Sequence, residues 1–275
     1  MGKIFNFKSK CKTILLYEKM FKIKKSYGII CCRKHPLKGI QIVLVKKPVT
    51  YHFCEFISGR YRKNDEAHLK KLFNNMTFHE KMDILSLKFN LMWYRVYKTN
   101  PDQVFMPNVN NYLPRQYMRK KTKFEASFLH DGGIRLKRLM ANTTNAETLW
   151  EIPKGRRQEQ VSEEYINAAI REFTEETDIN AKQYQLFLRI PPYIETYSDF
   201  GTTYQNIYYY ANAINVWEPS IKFSNGTQIS EVSAISWCGL LDIKNMKLDK
   251  NTYCRLITMF SKISKKYKNY VKGII

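Results

Sequence analysis

The chain has 275 residues, with 46 Lys+Arg against 24 Asp+Glu and a formal net charge of +22. An apolar share of 44%, rich in Tyr and Phe, excludes a wholly disordered chain, and no run of about 18 apolar residues is present to span a bilayer. So large a charge for this length points to a polyanionic partner, whether nucleic acid, a polyphosphate or an acidic membrane surface.

Residues 1–25 carry eight lysines against Glu18 alone, interleaved with Ile4, Phe5, Phe7, Leu15, Leu16 and Phe21. They read as a basic amphipathic arm. The start MGKIFNFKSK lacks a secretory apolar core and has Asn6 where a myristoylation signal needs Ser or Thr, so a soluble intracellular protein is expected. Residues 26–54 form the first part of the main domain, with SYGIICCR and GIQIVLVKK predicting a hairpin around HPLKG.

Residues 55–125 change to helical spacing, as in Met82, Leu85, Phe89, Met92 and Val96. Thr77 with Glu80 predicts a capping box. This block reads as a helical insertion that closes on the basic run 118–123. Residues 126–275 resume the main domain: β character from Ala126 with a Gly-Gly turn at 132–133, a long helix from about Ser162 to Thr177, further strands, and a final helix at about 250–269. Six cysteines (Cys11, Cys31, Cys32, Cys54, Cys238, Cys254) and five histidines show no zinc-ligand spacing, so reduced, mostly buried thiols are expected.

The chemistry concentrates in residues 155–179, GRRQEQVSEEYINAAIREFTEETDI. On a helix, Glu172, Glu175 and Glu176 share one edge at i, i+3 and i+4. Their mutual repulsion adds nothing to a helix, whereas a hard divalent cation turns it into binding. A solvated acidic face is the alternative reading of the triplet alone.

The wider segment resembles the Nudix box, with Gly155, Glu163, Arg171, Glu172, Phe173, Glu175, Glu176 and Ile179 in matching roles. Two departures stand out. Seven residues separate Gly155 from Glu163, two more than the box has, and Asp178 replaces a glycine at a helix end that Asp tolerates.

The resemblance implies an α/β sandwich (α+β), and Mg²⁺ or Mn²⁺ held by Glu172, Glu175 and Glu176. It also implies an Arg171–Glu163 pair bracing the loop, and Lys154 and Gly155 beside the substrate phosphates. KKLFNNMT, NLMWY, LWEIPKG and the ISEVSAISW segment are similar to the mRNA-decapping Nudix enzymes of large cytoplasmic DNA viruses, of the African swine fever virus type and, more distantly, the poxvirus type. That similarity runs from about Tyr27 to Trp237. It implies removal of the 5′ cap from capped mRNA in the host cytoplasm, releasing methylated guanosine diphosphate and 5′-monophosphate RNA.

Under the same resemblance, Glu231 faces the metal helix as a further ligand or base. Tyr51 or Phe53 and Tyr208 fall where the poxvirus type stacks the cap, a cationic purine that suits an aromatic sandwich, and Asp199 is placed at the base edge. Core packing is the alternative role for these aromatics. Lys70, Lys71, Arg119, Lys120, Lys121 and Lys123 fall in the insertion where the viral relatives bind RNA, and they would give salt-sensitive, sequence-independent contacts. Two rival readings stand: hydrolysis of diphosphoinositol or dinucleotide polyphosphates, and an inactive RNA-binding Nudix scaffold. No residue pattern specifies an oligomeric state.

Overall fold

The computed structural model describes residues 22–98, 112–199, 202–214, 217–221, 228, 231–246, 248 and 250–271. Most of the basic arm therefore lies outside the described residues, as do Cys11 and Lys272. Its last residues instead open strand β1 (Lys22–His35), which turns through HPLKG into β2 (Gly39–Lys46). The predicted hairpin is present, with Cys32 paired to Ile42 in antiparallel register.

The helical block is larger than 55–125. It comprises α1 (Tyr51–Ile57), α2 (Glu66–Asn74), α3 (Phe78–Leu85), α4 (Phe89–Tyr97), α5 (Tyr112–Phe128) and α6 (Ile134–Met140). The expected return to β structure after Ala126 is incorrect. Gly132 and Gly133 make a turn at φ of 63° and 81°, and Gly133 leads into a helix rather than joining two strands. Leu136, Leu139 and Met140 then close an aromatic core around Phe56, Phe73, Trp93 and Phe124. The Thr77 capping box forms as predicted. Its Glu80 is fully buried, and also accepts hydrogen bonds from the Thr50 backbone N–H (2.6 Å) and hydroxyl (2.9 Å), tying α3 to the start of α1.

The chain then returns through β3 (Trp150–Glu151) and β4 (Lys154–Gly155) to helix α7 (Tyr165–Thr177). After it come β5 (Tyr184–Leu186), β6 (Tyr193–Asp199), β7 (Thr202–Ala213), β8 (Ala234–Cys238), α8 (Leu240–Asn245) and α9 (Lys250–Val271). One mixed sheet runs β3-β2-β1-β7-β5, with β4 on β1, β6 on β7 and β8 on β2. At its centre β1 and β7 are parallel, from Lys22↔Thr202 to Cys32↔Asn212.

Alternation along the strands sends Ile29, Cys31 and Val43 toward Ala168 and Phe173 of α7, and Ile30, Ile42 and Leu44 toward Leu256 and Ile263 of α9. This is an α/β/α sandwich. No helix among the described residues is long and apolar enough to cross a membrane. Cys31, Cys32 and Cys238 are free and buried, as expected, and burial pushes the Cys31 and Cys32 thiols up. Cys254 is exposed, away from the packed face of α9.

Candidate active site

Two ionic groupings flank β4, one open and one buried. In the open one, Arg171 is the hub. Its Nε donates to Glu163 Oε1 at 2.9 Å, and its Nη2 to Glu163 Oε2 at 3.1 Å and to the Arg156 carbonyl at 2.8 Å. Its Nη1 reaches Glu172 Oε1 at 2.8 Å and Glu175 Oε2 at 2.9 Å. A planar guanidinium suits this role because its donors form a fixed fork. The hydrogen bonds from Arg171 hold the Glu163 carboxyl below its ordinary range.

The long loop between Gly155 and Glu163 is taken up by a single 3-10 turn at Glu159–Val161, and Ser162 ends it at φ 49°. The brace from Glu163 is therefore preserved despite the extra residues. Asp178 caps α7 in the left-handed region, φ 59°, as its residue type allows.

Glu172, Glu175 and Glu231 line one open cleft of about 620 Å³, together with Arg156 and Arg157. Gly155 lies against its edge: a Cβ there would stand 1.9 Å from Glu172 Oε2, so a larger residue would push that carboxylate aside. Burial raises the Glu172 carboxyl; Arg171 opposes that, while the charges of Glu175 and Glu231 add to it. These oxygens are the donor type that a hard divalent cation takes, so the residues fit such an ion. Among the described residues, no three acidic, His or Cys side chains already form a metal cage; Glu172 and Glu175 turn to Arg171, and Glu176 turns to Lys47.

Glu176 departs from the expected triplet. It is 1% exposed and belongs to the buried grouping. Its Oε1 accepts a short hydrogen bond from Lys47 Nζ, and its Oε2 accepts the Lys154 backbone N–H at 3.2 Å. Lys47 Nζ also stands 3.5 Å from Glu151 Oε1. Glu151 Oε2 lies 2.6 Å from Lys154 Nζ, and both Glu151 oxygens accept from the Tyr51 hydroxyl at 2.9 Å. Burial pushes the Glu176 carboxyl up, to about 7, although Lys47 pulls the other way. Glu151 is also buried, but Lys154 and then Lys47 prevail and hold it at about 2. Lys47 and Glu151 escaped the sequence reading, because their partners arrive from separate elements, α1, β3, β4 and α7. The signal available was a glutamate and a lysine three apart in WEIPKG.

The cap-stacking expectations need correction. Phe53 is fully buried in the helical core and Tyr208, on β7, is 2% exposed on the α9 side of the sheet, so neither ring offers a free face. Tyr51 keeps an exposed ring while its hydroxyl reaches Glu151. Asp199 ends β6, and its side chain lies outside the described residues.

Lys70 and Lys71 are exposed on α2, and Arg119 is exposed on α5. Lys120 is half-buried there, its ammonium held below the ordinary range by burial and by Arg119, Lys123 and Arg60. Lys121 pairs with Glu125. Lys123 is half-buried and engaged within the fold: its Nζ donates to the Gly59 and Tyr61 carbonyls at 2.7 Å each and lies over the Tyr61 ring. It ties α5 to the segment after α1.

A NUDIX domain is matched over residues 132–256. The mRNA-decapping protein g5R of African swine fever virus is 35% identical over 224 residues, covering 78% of this chain and 85% of that protein. A putative mRNA-decapping protein of Acanthamoeba polyphaga mimivirus is 28% identical over 188 residues, covering 62% of this chain and 51% of its own length. A C. elegans Ap4A hydrolase structure aligns over 90% of this chain and 98% of its own at 14% identity, with a TM-score of 0.40, a likeness too loose to carry argument.

Proposed function

The chain belongs to the Nudix family, and we propose that it is a Mg²⁺- or Mn²⁺-dependent hydrolase that removes the 5′ cap of mRNA in the host cytoplasm. Methylated guanosine diphosphate and 5′-monophosphate RNA are the products. The observation that carries this reading is the convergence of Glu172, Glu175 and Glu231 on one cleft that also holds Arg156 and Arg157, in a chain 35% identical to a viral mRNA-decapping protein.

Glu172, Glu175 and Glu231, with Glu176 behind them, would hold the metal. When bound, it polarises a phosphoryl oxygen and lowers the pKa of water. The chain's own residues do the rest. Arg156 and Arg157 bind the triphosphate bridge from the loop side, where their charge offsets that of the carboxylates. Arg171 fixes the loop by its fork to Glu163 and by the hydrogen bond to the Arg156 carbonyl. Glu231 takes the proton of the attacking water at a carboxylate oxygen. The water oxygen bonds to phosphorus as the bridging P–O bond breaks.

Lys70, Lys71, Arg119 and Lys120 extend the basic surface for the RNA chain. Lys123 is left out of this set, because its ammonium is spent on backbone carbonyls. Thin-layer chromatography of cap-labelled RNA with Mg²⁺ or Mn²⁺ tests the reading. Release of methylated guanosine diphosphate by the wild type and its loss in Glu172→Gln are expected. Cleavage of small polyphosphates with capped RNA left intact would replace it by the first rival reading. RNA binding without any cleavage would leave the inactive scaffold.

A further inference from the structure

We propose that Lys47 is an internal counter-ion that a divalent cation must displace from Glu176, and that Glu151 receives it, so that Lys47 sets the metal affinity of the site. This rests on the reading of Glu176 as a metal ligand.

Both Glu176 oxygens are already engaged, Oε1 by the Lys47 ammonium and Oε2 by the Lys154 N–H. A cation approaching this carboxylate therefore competes with a charge that the fold supplies. The buried grouping is balanced without metal: Lys47 and Lys154 stand against Glu151 and Glu176. An incoming ion of two positive charges upsets that balance, and Lys47 is the least enclosed of the four side chains. A buried ammonium cannot be left without a partner at acceptable cost. Here the second partner is in place, since Glu151 Oε1 lies 3.5 Å from Lys47 Nζ. A lysine suits such a transfer because its charge is compact, sits on a flexible stem and has three rotatable donors. Glu151 is itself anchored by Lys154 and by the Tyr51 hydroxyl from the first residue of the helical block, so the receiving position stays fixed while the lysine moves.

The test is Mn²⁺ binding to the full chain, read from the electron paramagnetic resonance of free Mn²⁺, with thermal melting as the folding control. Lys47→Met should tighten Mn²⁺ about tenfold, the scale on which groups behind metal ligands act. Glu151→Gln should loosen it, because Lys47 then has only Glu176. In a Glu176→Gln background, Lys47→Met should have no effect. Unchanged or weaker Mn²⁺ binding in Lys47→Met overturns the proposal. If that variant does not fold, Glu151→Gln decides alone, and affinity equal to or above that of the wild type overturns it. Wild-type Mn²⁺ affinity in Glu176→Gln would instead remove Glu176 from the ligand set, and the parent reading of that residue with it.

Discussion

The cleft around Arg171 and the cluster around Lys47 use the same chemistry in different surroundings. In the cleft a partly exposed guanidinium spans Glu163, Glu172 and Glu175, and water shares the work of screening. In the cluster two ammonium groups and two carboxylates are almost wholly enclosed, so each charge depends on its neighbours. The cleft can be altered with little loss of stability but a large loss of chemistry, whereas the cluster cannot lose a member without exposing a naked buried charge.

The cleft should respond most strongly to substitution. Glu172→Gln should lower cap release on the order of 10³-fold by weakening the metal's stabilisation of charge on the phosphoryl oxygen, measured in single turnover at saturating Mg²⁺. A rate within a few-fold of wild type would strip the cleft of its role. Next comes stability. Glu151→Ala should cost about 3–5 kcal/mol by leaving Lys154 and Lys47 short of a partner, while Glu163→Ala should cost about 1 kcal/mol or less. Equal losses in urea unfolding would erase the distinction between the two groupings.

Titration sharpens the contrast further. The Glu176 carboxyl rises from 4.5 to about 7 on folding, so in this interval the folded form holds a proton that the unfolded chain has released. Metal-free protein should therefore lose stability as pH rises from 4.5 through about 7, and Glu176→Gln should remove that slope. Glu151, lowered to about 2, acts oppositely: its contribution is full above 4.5 and is lost as pH falls toward 2. Denaturant midpoints across pH 4–8 that run parallel in wild type and Glu176→Gln would refute the first of these assignments.

The smallest effect concerns the surface cations. Arg119→Ala should lower the salt slope of RNA binding by roughly one. Lys123→Ala should leave that slope alone and lower the melting temperature instead.

Much of this was legible from residue order. Helix α7 with its acidic edge, the Thr77 box and the left-handed end at Asp178 are local features, and local rules found them. The far end of the helical block is not legible, because a Gly-Gly pair serves equally to join two strands and to start a helix. Resemblance alone points to Phe53 and Tyr208 at the cap, but an aromatic flanked by apolar neighbours is as readily core, and both are buried. Lys47 and Glu151 were missed for a different reason. A lysine just past one strand and a glutamate in a two-residue strand mean nothing singly, and only the sheet brings them to α7.

The parallel pairing of β1 with β7 also dictates an order of assembly. Long-range parallel pairing is slow because a large loop must close before any contact rewards it. Translation delivers β1 long before its central partner β7, with the whole helical block between them. That block gathers its own core from residues 49–140 and can close while β7 is still being made. The β1–β2 hairpin meanwhile waits with an open edge, and the grouping that joins Lys47, Glu151 and Glu176 assembles late. Nascent chains thus acquire the insertion before they acquire the active site, and a chain cut short of β7 keeps the first without the second.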